Sequence, residues 1–162
     1  MPELLDQIPD LPPEIAAMNP AQREFLENML RIDLMEQQLA QMQPVECHVT
    51  HRWTPGLYIR EIFMPAGAVV TSKIHKTAHP FVISQGRVSV FSTHEPTVEL
   101  CAPHTGITTP GTRRAILVHE NTIWTTFHPT DKTTVEEVET DIIHRYENPL
   151  LEGVNTPCLG SR

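Results

Sequence analysis

His75 and His79 are the first residues in the chain whose type and spacing could do chemistry. The run His75-Lys-Thr-Ala-His79 has the spacing of the helical zinc motif His-Glu-x-x-His. Lys76, however, occupies the place of that motif's general base. The preceding Val69-Val-Thr-Ser-Lys-Ile74 is rich in β-branched residues, and Pro80 disfavours helical geometry at His79. The two imidazoles therefore belong at neighbouring strand ends, pointing into the mouth of a barrel. Two neutral imidazoles can take up Zn²⁺, Ni²⁺, Cu²⁺ or Fe²⁺, but a stable site needs three or four ligands. The remainder would have to come from His128, His119, His104 or Glu61. The expected metal set is His75, His79 and His128, holding one divalent transition metal. The competing reading is a polar pair hydrogen-bonded inside a cavity, with no cofactor. Cys47, His48 and His51 lie close together, but no second Cys/His pair at zinc-finger spacing completes a site.

Arg114 can do different chemistry. An arginine stays protonated and cannot ligate a metal. Pointed inward, it would repel a divalent cation or bind an anionic ligand through its planar fork, with Arg60 doing the same from another strand; Arg114, Arg60 and Trp124 are the expected ligand-binding residues. Pointed outward, Arg113 and Arg114 would be ordinary solvated charges in a turn. Trp124 and Phe127 also suit a core or an interface. The chain has no Gly-rich phosphate loop, no Gly-x-Ser-x-Gly elbow and no nucleophile beside a recognisable base.

Short alternating runs punctuated by turn residues must position these side chains. Strands are predicted at Tyr58–Phe63, Ala68–Ile74, Pro80–Ser84, Arg87–Phe91, Val98–Cys101, Gly106–Thr109, Arg114–Val118 and Thr122–Phe127. About eight strands suit an all-β jelly-roll barrel, here over residues 55–130. A helix is predicted over 20–42 within a 19–43 segment, with Asn19 as N-cap and Pro20 in the first turn. Phe25, Ile32 and Leu39 make one apolar stripe, and Leu26, Leu30 and Leu34 make another. Two stripes suit a helix covered on more than one side, by its own domain or by a second copy. Residues 1–18 read as an extended Pro-rich arm and 43–56 as a connector. A short closing helix is expected over 133–146, with Val135, Val138, Ile142 and Tyr146 on its apolar face and its acids solvated. An unstructured tail follows to 162.

The barrel segment resembles the cupin family. Cupins carry His-x-His, three residues, Glu and a later Gly in one motif, and Pro-x-Gly-x-x-His in a second. With Gly86 as anchor, Lys73 and His75 fall on the motif histidines and His79 on the Glu. With Gly111 as anchor, Arg114 falls on the second motif's histidine. The run from Gly56 to Pro65 and the Thr122–His128 strand are also similar to cupin-like proteins of tailed bacteriophages. Cupin enzymes work at the motif metal, and one of the four usual ligands is present in kind. The resemblance therefore implies a non-catalytic binding or assembly protein, self-associating through helix and arm, with a virion or tail component as its concrete form. The alternative it implies is a metal-dependent enzyme acting on a small anionic molecule.

The net charge of −8 and pI near 5.5 argue against a general nucleic-acid or anionic-membrane binder. Three cysteines, Cys47, Cys101 and Cys158, make neither a disulfide framework nor a Cys-x-x-Cys site, as expected for reduced thiols. No signal peptide or membrane span is legible, so a soluble protein made in the cytoplasm is expected, carried into a virion if phage-encoded.

Overall fold

The computed structural model describes residues 13–151. Eleven strands occur among them: β1 (His48–Thr54), β2 (Leu57–Met64), β3 (Val69–Thr71), β4 (Ile74–His75), β5 (His79–Gln85), β6 (Arg87–Ser92), β7 (Val98–Cys101), β8 (His104–Thr108), β9 (Arg114–Val118), β10 (Thr122–Pro129) and β11 (Ile143–His144). The helices are α1 (Pro13–Ala16), α2 (Pro20–Leu39) and α3 (Val135–Ile142), with a 3₁₀ turn at Pro149–Leu151.

The pairing defines the fold. β2 pairs with β10, β3 with β9, β5 with β8 and β6 with β7, all antiparallel. These pairs are nested, so the chain is one long ribbon folded back on itself. β10 also pairs with β5, and β9 with β6, which gives two sheets ordered β1-β2-β10-β5-β8 and β3-β9-β6-β7. This is the jelly roll that the strand pattern predicts. Alternation sends Val88, Val90, Ile116 and Val118 of one sheet against Ile62, Phe81, Ile83 and Trp124 of the other, where all are buried.

Gly86 turns β5 into β6 with φ of +91°. A Cβ there would lie 2.5 Å from the Asn121 carbonyl oxygen and closer still to the Thr122 side chain. Both the left-handed backbone and the close approach of β10 require glycine.

Several boundaries differ from expectation. The connector contains β1, which forms a hairpin with β2 across Pro55 and Gly56. As a half-exposed edge strand with a polar sequence, β1 lacks the apolar alternation that would reveal it. The second predicted strand breaks into β3 and β4. Part of the expected extended arm is the short helix α1, and residues 1–12 lie outside the described residues, as do 152–162 and Cys158. Helix α3 stops at Ile142, and Tyr146 lies beyond it rather than on its apolar face. Thr134 caps α3, accepting a hydrogen bond from the Glu137 amide and donating one to its carboxylate.

Helix α2 docks on the outer face of the second sheet through Ile32 and Met35, which meet Phe91 and Ala115. Its second stripe, Leu26, Leu30 and Leu34, is half-buried. Helix α3 closes one end of the barrel, with Val138 and Ile142 on Tyr58. The β4–β11 ladder, pairing Ile143 with His75, straps it down. No helix among the described residues is long and apolar enough to cross a membrane.

Candidate functional site

Strand register assembles the site from distant parts of the chain. In the five-stranded sheet Trp53 pairs with Tyr58 and Tyr58 with His128. The next row on the same face runs His51, Arg60, Thr126 and Phe81. His79 enters beside His128 from the start of β5, and His75 arrives from β4 at the closed end.

The three imidazoles form one cluster. Ring centroids of His75 and His79 are 4.3 Å apart, those of His79 and His128 4.4 Å, and those of His75 and His128 5.3 Å. One ring nitrogen from each lies within 4.8 Å of the others. His79 is 3% exposed and His128 1%. Burial pushes His75 and His128 down to about 3, with the neighbouring imidazoles and Arg60 adding to it. Burial also lowers His79, against a hydrogen bond to the Thr77 carbonyl. All three rings are therefore neutral near pH 7, the form that ligates metal.

Hydrogen bonds select the tautomers. Thr126 donates its hydroxyl proton to the Arg60 carbonyl, so its oxygen accepts from His128 Nε2 at 3.0 Å. That leaves a lone pair on His128 Nδ1, which is buried and has no partner. His79 Nδ1 donates to the Thr77 carbonyl at 3.3 Å, which frees Nε2. His75 Nδ1 is likewise buried and unpartnered. Each orphaned buried polar atom costs about 1–3 kcal/mol. A bound cation is one partner that such orphaned ring nitrogens lack, and an outer hydrogen bond on each of two rings is the arrangement that fixes metal-ligating histidines. The residues fit a divalent transition metal.

The histidines line a cavity of about 130 Å³ together with Arg60, Arg114 and Trp124. Arg114 faces inward, 8% exposed. Its guanidinium donates to Thr108 Oγ1 at 2.7 Å and lies 5.4 Å from the centroid of the Phe81 ring. Arg113 points the opposite way and pairs with Asp33 and Glu36 of α2 at 2.7 and 2.8 Å. Neither arginine is a solvated turn charge. Trp124 stacks on Phe81 at 4.5 Å and walls the cavity.

Of the four residues that could have completed the metal set, His128 joins it. Glu61 pairs with Arg52 on the outer face of β2, His119 bonds Ser89, and His104 lies against Phe81. His48 and His51 join no metal cluster, and His51 instead contacts the Tyr58 hydroxyl at 2.6 Å. Lys73, at the first motif position of the cupin resemblance, bridges Glu139 at 2.7 Å beside the cavity. Glu139 stays partly exposed, as expected of the acidic face of α3, and also lines the cavity. Tyr58, Thr108, Thr126 and Glu139 also line the cavity, beyond the residues that the sequence pattern assigns to the site. Tyr58 shares its face with Arg60 by simple alternation, which was the available signal; the threonines offered none.

No family model matches the sequence, and no curated protein is significantly similar to it. Solved structures are similar to part of the chain. The cupin domain of Cnp3 from Schizosaccharomyces pombe is 20% identical with a TM-score of 0.45, over 57% of this chain and 67% of that one. KdgF from a Halomonas species is 19% identical with a TM-score of 0.45, over 54% and 86%. A cupin superfamily protein of Desulfitobacterium hafniense is 10% identical with a TM-score of 0.45, over 59% and 87%.

Proposed function

We propose that the barrel is a metal-dependent site for a small molecule, in which His75, His79 and His128 hold one divalent transition metal. The observation that carries this reading is the cluster of three neutral imidazoles, each offering one ring nitrogen within 4.8 Å of the others, with a buried unpartnered nitrogen on His75 and on His128. Three protein ligands leave coordination positions open for water or substrate, the pattern of catalytic rather than structural sites. A bound ion would supply Lewis acidity or an acidified water. The chain's own residues provide the rest. Tyr58, Trp124 and Ile62 limit water in the cavity, Thr126 and Thr77 hold two of the rings, and α3 covers the end from which His75 enters.

Elemental analysis of protein purified without chelators is expected to find about one equivalent of Fe, Mn, Ni, Cu or Zn per chain, as a three-ligand site retains. His128→Ala should reduce this at least tenfold. A folded protein that stays metal-free after dialysis against each ion would refute the reading.

A second reading, assembly through α2, is supported by the half-buried Leu26, Leu30 and Leu34 stripe. A shell component such as a phage particle would use that stripe between copies. Leu30→Glu is expected to convert an oligomer into a monomer in light scattering with the melting temperature nearly unchanged. A wild-type monomer at high concentration would end this reading.

A further inference from the structure

We propose that the cavity takes up its divalent cation and one small carboxylate as a linked pair, the carboxylate seated on Arg114, so that each binds more tightly when the other is present. The inference rests on the metal reading above and adds a second component to that site.

Strand register places the Arg114 head beside the histidines. The residue belongs to β9 of the four-stranded sheet, but its guanidinium reaches across to the five-stranded sheet. There it donates to Thr108 Oγ1 at 2.7 Å and lies 5.4 Å from the Phe81 ring centroid. Thr108 is the register partner of His79, and Phe81 follows His79 by two residues on the same face of β5. Beyond the burial that chiefly keeps the rings neutral, Arg114 adds its charge at His75 and His79, and Arg60 adds its own at His75 and His128.

Charge in this cavity is unbalanced. Its lining holds three cations, Arg60, Lys73 and Arg114, and one acid, Glu139, which Lys73 already engages at 2.7 Å. Among the described residues, neither arginine takes part in an ion pair. Arg60 is half-buried and screened by solvent, whereas Arg114 is 8% exposed. The acid whose charge reaches Arg114, Glu95, is exposed and not bound to it. A guanidinium cannot shed its proton, and a buried charge without a partner is strongly destabilising. A divalent cation on the imidazoles would add its own positive charge beside it. An anion on Arg114 removes that repulsion, and the cation attracts the anion in return.

The unused part of Arg114 selects the anion. Thr108 takes Nη1, while Nε and Nη2 make no hydrogen bond among the described residues and are not sealed from the cavity. That edge presents two parallel N–H groups, which match the two oxygens of one carboxylate. The cavity of about 130 Å³ is well below the roughly 300–1,000 Å³ of drug-sized sites, which limits the ligand to a few carbons.

The test is zinc titration of the chelator-stripped full chain against a competing chromophoric chelator, at one ionic strength set by sodium chloride, acetate or phosphate. Zinc is expected to bind at least tenfold more tightly in acetate than in chloride or phosphate, and calorimetry should find acetate tightened by the same factor on zinc-loaded protein. Arg114→Gln should bind zinc in chloride at least as tightly as the wild type does, because the repelling charge is gone, and should lose the response to acetate. A merely structural role for Arg114 would instead weaken zinc in every buffer. If Arg114→Gln does not fold, Arg114→Lys decides: it keeps the charge without the fork, so zinc in chloride stays weak and acetate helps several-fold less. Tighter zinc in phosphate, or an Arg114→Gln protein that still responds to acetate, would overturn the proposal. Zinc bound equally in acetate and chloride would sink this inference and leave the metal reading standing; no zinc in any buffer would sink both.

Discussion

Asp33→Ala is expected to cost about 3–5 kcal/mol of stability, because it strips the partner from a buried cation. Arg113 is 3% exposed and Asp33 4%. One Asp33 oxygen takes the Arg113 guanidinium at 2.7 Å and the other takes the Tyr146 hydroxyl at 2.6 Å. Arg113 also reaches Glu36 at 2.8 Å and lies 4.7 Å from the centroid of the Tyr146 ring. Asn148 donates to the Asp33 carbonyl and to Glu36. Burial and the Asp33 carboxylate push the Tyr146 hydroxyl up to about 12, so it stays a donor. One network thus ties α2, the rim of the barrel and the segment after α3. Urea unfolding measures the loss. A double-mutant cycle with Arg113→Met should show the double variant losing much less than the sum of the singles, since the stranded charge is gone. Additive losses, or a cost for Asp33→Ala under about 1 kcal/mol, would show the network to be slack. The same contacts mean that removing α2 would damage the barrel itself, so the single substitution Leu30→Glu is the cleaner probe of assembly.

Metal-free protein is expected to lose stability steadily as pH falls below about 6.5, the value of an unfolded histidine. His75 and His128 are held near 3 by burial in the folded state. Between those values the unfolded chain binds protons that the folded chain refuses, so acid favours unfolding. The contribution is fully present above pH 6.5 and is lost on the way down to about 3. Each histidine contributes at most about 1.4 kcal/mol per pH unit, and their mutual repulsion makes the two less than additive. From pH 7 to 4.5 the loss is on the order of 3–5 kcal/mol. Urea midpoints at the two pH values measure it, and His128→Asn should flatten the slope. A bound ion competes with protons for the same nitrogens, so added zinc should delay the loss to lower pH. Stability that is level from pH 7 to 4.5 would mean the cluster opens to water and the rings titrate freely.

Most of the strands, most turns, the N-terminal cap of α2 and the jelly-roll architecture were legible because each rests on local chemistry. Asn19 caps its own helix, Gly86 takes a backbone angle other residues avoid, and alternation marks Tyr58, Arg60 and Ile62 as one face. The cupin motifs pointed to His75 and His79 but assigned no third histidine, because His128 lies outside both. His128 was the expected third member by residue type alone, and the tertiary structure supplies the reason it lies beside the other two. Alternation tells which face a residue is on, but pairing between distant strands tells which row it joins, and the β2–β10 register puts His128 opposite Tyr58. The direction of Arg114 was hidden for a related reason. Arg114-Ala-Ile-Leu-Val118 is apolar on both faces because α2 covers the outside of β9. With no polar face to mark the exterior, alternation could not say which of Arg113 and Arg114 points inward. The docking of α2, which draws Arg113 out to Asp33 and Glu36, settles it.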